Sequence, residues 1–226
     1  MQFLALESST DAASVALWRD GAVTERRCPP GQPSSATLLP LAAALLAEAG
    51  ASFAALDAIA FGAGPGSFTG LRVACGVAQG LAVAHDLPVL PVGTLAAMAH
   101  AAGEAPRVAV CLDARMQEVY FGCFVDGIAV GAPGVFAPDA VPLPEGGGWI
   151  AVGNALAAYP ALHERMAPRV HALRPEILPT AAAVAALAAP RLARGEGIDA
   201  AEAAPVYIRD KVALTVAERL AQGGRA

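Results

Sequence analysis

The chain has 226 residues, 56% of them apolar and 15% charged, with a formal net charge of −5. That length supports one large domain or two lobes, and the apolar content excludes a disordered chain. The largest Lys/Arg cluster is Arg26-Arg27, which excludes a protein that grips nucleic acid by its own basic face; any role in RNA chemistry runs through a partner.

Residues 2–7 read as a buried strand, Glu7-Ser8-Ser9-Thr10-Asp11 as a polar turn, and 13–18 as a strand that alternates back. Asp20-Gly21 signals a hairpin into a third strand over 23–27. After a loop with Pro29, Pro30, Gly31 and Pro33, Ser34 or Ser35 caps a helix that runs to Gly50, its C-terminal stop. Pro40 lies too deep for a first-turn proline, so this helix either starts late or kinks there. Leu38, Leu39, Leu41, Leu45 and Leu46 cover more than one stripe of it. Either an apolar face is left over for another protein, or the helix is buried on both sides within its own domain.

Residues 56–91 are the most informative stretch. A strand over 56–61 stops at Gly62, Gly64, Pro65 and Gly66, and a helix of small residues follows over about 70–84, capped by Ser67 or Thr69. Glycine in a helix costs about 1 kcal/mol against alanine. Gly76 and Gly80, four apart on one face, therefore imply close packing there. A glycine turn at a helix N-terminus is a ready anion site, but the spacing departs from both known cradles. After Gly64 and Gly66 the next glycine, Gly70, comes one residue late for G-x-G-x-x-G, and Leu71 stands where a P-loop needs lysine. A packing turn is preferred over a phosphate cradle.

A strand over 87–92 and a helix over 93–100 follow. The second half then repeats the opening theme: a strand over 107–112, the polar turn Asp113-Ala114-Arg115-Met116, and a strand over 118–125 ending at Asp126-Gly127. A loop over 142–148, a strand over 149–153, an alanine-rich helix over 180–194 and an element over 205–211 complete it. The tail is helix-prone through Leu220 and frays at Gly223-Gly224. Three strands joined by tight turns and then a helix open the lobes of the actin-like, sugar-kinase and Hsp70 fold, and the second half points to a duplicated lobe.

Gly62-Ala63-Gly64-Pro65-Gly66-Ser67-Phe68-Thr69-Gly70-Leu71-Arg72 resembles the signature of the TsaB (YeaZ) family. Further matching stretches are 3–10, Leu38-Leu39-Pro40, Asp113-Ala114-Arg115-Met116-Gln117-Glu118-Val119-Tyr120 and Tyr207-Ile208-Arg209-Asp210-Lys211. The resemblance implies an α/β actin-like fold of two duplicated lobes, 1–100 and 101–226, whose last helix packs back on the first lobe, with a degenerate nucleotide site. It implies a non-catalytic scaffold that pairs with a TsaD-type transferase paralogue, with a TsaE-type ATPase in the larger complex. Together they place threonylcarbamoyl on the adenosine beside the tRNA anticodon, and tRNA meets this subunit only through the complex. The pairing surface would comprise Leu38, Leu41, Leu45, Gly76 and Gly80, with Phe68 as aromatic anchor and Arg72 as polar contact. A homodimer through the same helices stays open.

No catalytic residue, metal or cofactor is expected. Where the catalytic paralogue carries a metal-binding His-His-x-x-x-His, Gly93, Thr94 and Met98 stand here, and neither a hydroxyl nor a thioether suits a hard catalytic ion. His85, His100, His163 and His171 are scattered singly. Ala114, Arg115 and Met116 have side chains where ATP-using relatives carry glycines. Glu7 replaces the family's usual Asp, and no G-x-S-x-G marks a hydrolase. The alternative is a stand-alone actin-like kinase or transferase, or a protease-like relative. Cys28, Cys75, Cys111 and Cys123 lack metal spacing and read as reduced thiols. Apolar runs end well short of the ~20 residues of a membrane span, and Met1-Gln2 leads straight into a strand, so a cytoplasmic location is expected.

Overall fold

The alternating apolar residues at the start of the chain build β1 (Gln2–Glu7), β2 (Ser14–Arg19) and β3 (Ala22–Arg27), an antiparallel meander. α1 (Ser34–Glu48) leads to β4 (Ala58–Gly64), and α2 (Phe68–His85) leads to β5 (Val89–Gly93), both strands running parallel to β1. The sheet order is β3-β2-β1-β4-β5. A computed structural model describes residues 1–209 of the chain. The helix-prone tail, its fraying glycines, the end of the 205–211 element and the packing of a last helix lie outside them.

α3 (Thr94–Ala101) crosses to a second sheet of β6 (Arg107–Arg115), β7 (Glu118–Val125), β8 (Ile128–Phe136), β9 (Trp149–Val152) and β10 (Ala172–Arg174). Its order is β10-β9-β6-β7-β8, with β6, β7 and β8 antiparallel and β9 and β10 parallel to β6. Numbered within its own half, each sheet therefore has the order 3-2-1-4-5 with the same strand directions. The molecule is two α/β lobes on one plan. Between β9 and β10 lie the short helices α4 (Ala155–Ala158) and α5 (Pro160–Met166).

The first sheet is covered on both faces. Leu4, Leu6, Val15, Ile59 and Phe61 meet α1 and α2. On the other face Phe3, Ala5, Ala16, Ala60 and Leu90 meet Ala181, Val184, Ala185 and Ala188 of α6 (Ala181–Ala193). Alanine on both partners lets this helix lie close to the sheet. α3 joins the lobes, giving Ala97 to the first core and Leu95, Met98 and Ala99 to the second. Each large side chain buried this way is worth about 1.5–3 kcal/mol.

Several boundaries differ from expectation. α1 runs unbroken from Ser34 through Pro40, so the late start is excluded. α2 begins at Phe68, because the Ser67 hydroxyl accepts the Gly70 N–H at 3.4 Å and caps the helix there. Residues 53–55 form a 3-10 turn, and β4 starts only at Ala58. β8 has no strand signature in the sequence, because Gly131, Pro133 and Gly134 interrupt it. It pairs with β7 through a bulge, between the pairs Phe121–Gly134 and Cys123–Val130.

Candidate docking face and inter-lobe cleft

The α1–α2 layer has an inner and an outer side. Leu38, Ala42, Leu45 and Leu46 of α1 and Leu71, Ala74, Ala78 and Ala82 of α2 point to the sheet. Leu38 and Leu45, expected on the docking surface, are 0% and 1% exposed and belong to the chain's own core. Their seven-residue spacing puts both on one side of the helix, and the sheet lies on that side. That part of the expected surface is corrected. The outer side of α1 is Ala36, Leu39, Pro40, Ala43, Ala44 and Ala47, with Leu41 half-buried between the sides. Leu39 is absent from the expected surface; about 100° round the helix from Leu38, it is 46% exposed on the outer side.

On α2 the outer residues are Arg72, Gly76, Gly80, Val83 and Ala84, flanked by half-buried Val73 and Val77. A Cβ added at Gly76 or Gly80 would meet nothing within 4 Å. The chain's own packing does not need these glycines, although each weakens the helix. The outer sides of α1 and α2 together form an apolar strip of small residues, with charges only at its margins: Glu48, bonded to Arg26, and Arg72.

Phe68 and Arg72 come together at the N-terminal end of α2, and Tyr207 joins them. The Phe68 and Tyr207 rings lie 5.6 Å apart, the Arg72 guanidinium stands 3.7 Å over the Phe68 ring, and its Nε donates to the Tyr207 hydroxyl at 3.1 Å. In the sequence Tyr207 carries only its family match, and no local signal places it beside residue 68.

This cluster stands at the mouth of a cavity of about 280 Å³ between the lobes. One wall is the turn Ser9-Thr10-Asp11 with the glycine turn at 65–69, and the other is Asp113, Ala114, Arg115, Tyr120, Asn154 and Arg209. The glycine turn is a packing device. A Cβ at Gly62 would fall inside the Glu7 carboxylate, one at Gly66 would lie 2.6 Å from Ser9, and one at Gly70 would overlap the Ser8 carbonyl oxygen. Two donors at the head of α2 are bonded within the chain: Ser67 N–H donates to the Ser9 carbonyl at 2.8 Å and Gly70 N–H to the Ser67 hydroxyl.

The opposite turn carries side chains. Arg115, Met116 and Gln117 take the left-handed conformation at φ 60°, 53° and 59°, which costs each L-residue about 1–2 kcal/mol. Asp113 holds the turn, accepting from the Arg115 N–H at 2.8 Å and the Tyr159 hydroxyl at 2.7 Å. Burial, then the Asp113 carboxylate, pushes the Tyr159 hydroxyl up to about 12. Arg115 Nη2 bonds Asp11 on the first lobe at 3.0 Å.

Glu7 lies below the cleft at the end of β1, fully buried. Its Oε1 accepts the Ser9 N–H at 2.5 Å, its Oε2 has no partner among the described residues, and burial raises its pKa. Thr94 and Met98 are buried in the α3 packing. Burial also pushes the Cys111 thiol up and Cys123 up to about 11, so both stay protonated. Among the described residues no three His, Cys, Asp or Glu side chains are grouped to hold a metal ion, and no helix is long and apolar enough to cross a membrane.

The family model described as "TsaD: tRNA N6-adenosine threonylcarbamoyltransferase" matches residues 31–132, the stretch that holds α1 and α2. The chain is 36% identical over 230 residues to the tRNA threonylcarbamoyladenosine biosynthesis protein TsaB of Escherichia coli (strain K12), covering 94% of this chain and 96% of that protein. It is 36% identical over 228 residues to the Haemophilus influenzae protein of the same name, covering 94% and 95%. Among solved structures, YeaZ from Pseudomonas aeruginosa matches at a TM-score of 0.82 and 42% identity, over 91% of this chain and 99% of that one. A second Pseudomonas aeruginosa structure, described as similar to peptidase YeaZ, matches at 0.85 and 42%, over 92% and 99%. With the likeness running almost end to end on both sides, in sequence and in fold, the chain belongs to the TsaB (YeaZ) family.

Proposed function

We propose that this chain is a non-catalytic scaffold subunit in tRNA threonylcarbamoyladenosine biosynthesis, docking through the α1–α2 strip onto a TsaD-type transferase. The observation that carries this reading is the uncharged strip itself, with Gly76 and Gly80 open to close approach. The match of a transferase family model to 31–132 supports the choice of partner. Two related chains that both carry this helix pair can face each other about a pseudo-twofold axis, as like surfaces do in an isologous dimer. The strip serves a homodimer equally well in isolation. A TsaE-type ATPase would join the larger complex, and tRNA would reach this subunit only through it.

The cleft supports the non-catalytic part. In an actin-like enzyme two facing turns admit phosphate between them by backbone approach. Here the Ser67 and Gly70 N–H groups are bonded to Ser9 and Ser67, and the Arg115 side chain spans the two turns. The nucleotide site is degenerate on this reading.

The test is size-exclusion chromatography with light scattering on this protein mixed with the transferase paralogue of the same source. A one-to-one complex that Gly76→Arg abolishes supports docking. No complex, together with calorimetric heat from ATP added to this chain alone, would overturn the scaffold in favour of the stand-alone enzyme.

A further inference from the structure

α2 is held on its flank by a segment that joins the two lobes. Residues 203–209 form neither helix nor strand. Gln79 Nε2 donates to the carbonyls of Ala200 and Ala203 at 3.1 and 3.0 Å. Further on, the Val206 N–H donates to the Ala63 carbonyl of β4 at 2.7 Å, and Tyr207 meets Phe68 and Arg72. The next two residues belong to the second lobe. Ile208 packs on its core, and Arg209 donates to the Ala114 carbonyl at 3.0 Å and pairs with the Glu118 carboxylate. One strap of seven residues thus runs down the docking helix and ends on the hairpin of β6 and β7.

The near end of this strap is continuous with the docking strip. Arg72 stands one helical turn before Gly76, and it bonds Tyr207. Phe68, Val206 and Tyr207 are 41%, 53% and 45% exposed, an apolar patch that extends the strip to the mouth of the cleft. We propose that the transferase docked on α1–α2 extends over Tyr207, which stands on the Phe68 and Arg72 already expected in the pairing surface, and that the strap carries this docking into the second lobe, fixing the angle between the lobes. The inference rests on the docking reading above and adds to it a footprint and a coupling. Covering the cluster removes water from the guanidinium–aromatic contact, which strengthens it. A strap held more firmly at Tyr207 transmits through Ile208 and Arg209, because the three residues are consecutive and the last two are anchored on the second lobe. By linkage, releasing the far end must then weaken docking at the near end.

Hydrogen exchange on the unmodified chain, alone and with the transferase, tests this directly. Docking slows exchange on α2, at the Val206 amide and at Glu118 to Tyr120, which lie on the other lobe. Arg209→Met, outside the footprint, weakens binding by about tenfold, in the range of ordinary coupling. Slowing confined to α1 and α2, with Arg209→Met binding within about twofold of the unmodified chain, overturns the coupling and leaves the docking reading standing. No slowing on α1 and α2, with Gly76→Arg still bound, overturns both. If Arg209→Met does not fold, the exchange pattern of the unmodified chain decides.

Discussion

The Arg115 guanidinium lies 3.0 Å from the Asp11 carboxylate and joins the two lobes across the mouth of the cleft. Both side chains are largely exposed, at 72% and 93%, so the pair is worth under about 1 kcal/mol and is screened by salt. Asp11→Asn is expected to lower stability by no more than that in urea titrations, with the difference vanishing at high salt. A loss of several kcal/mol would mean that this bond, rather than the strap and α3, holds the lobes together.

Two glycines of α2 should respond to alanine with opposite signs. At Gly70 a Cβ overlaps the Ser8 carbonyl oxygen, whereas at Gly76 it meets nothing within 4 Å. Gly70→Ala should cost several kcal/mol, as overpacking against backbone does. Gly76→Ala should raise the stability of the free chain by about 1 kcal/mol, the helix-propensity difference, while weakening association with the transferase. Thermal melts of both variants decide the first part, and a binding titration of Gly76→Ala decides the second.

Glu7 makes stability fall as pH rises. Its carboxyl is fully buried, and desolvation raises its pKa above the usual 4.5, outweighing the Ser9 N–H bond that lowers it. The folded state therefore binds this proton more tightly than the unfolded chain does. The associated stability is fully present below the unfolded pKa and is lost as pH rises through the folded one. Glu7→Gln keeps the shape over Gly62 and removes the titration. Its stability between pH 4 and neutrality should be flatter than that of the unmodified chain, and higher at the neutral end; parallel profiles would refute the assignment.

Leu39 and Leu45 lie on the same helix and should separate docking from folding. Leu45 is 1% exposed in the first core, and Leu39 is 46% exposed on the strip. Leu45→Asp buries an unpaired charge and should cost several kcal/mol. Leu39→Asp should change stability by less than about 0.5 kcal/mol yet weaken the complex with the transferase. Circular dichroism melts set beside light scattering of the mixture read both effects.

The element order of the first lobe, and β6, β7, β9 and α6 beyond it, was legible because it rests on local signals: apolar runs, the Asp20-Gly21 hairpin and the glycine turn at the end of β4. What failed was local too, in the opposite sense. β8 is interrupted by Gly131, Pro133 and Gly134, and its pairing comes from β7 alone. Leu38 and Leu45 could not be assigned to the sheet side or the partner side from spacing, because leucines occupy both stripes of α1 and only the position of the sheet distinguishes them.

By itself the sequence determined the family, the strand-turn-helix plan and the small-residue face of α2, since each is written within a few neighbouring residues. Only the tertiary structure decided which stripe of α1 remains outside, that the glycine turn packs on Glu7, Ser8 and Ser9, and that Tyr207 stands on Phe68 and Arg72. Those contacts join residues more than 50 positions apart. The physical reason is that such a contact is set by the closure of the whole sheet, and no local propensity encodes where two distant segments will meet.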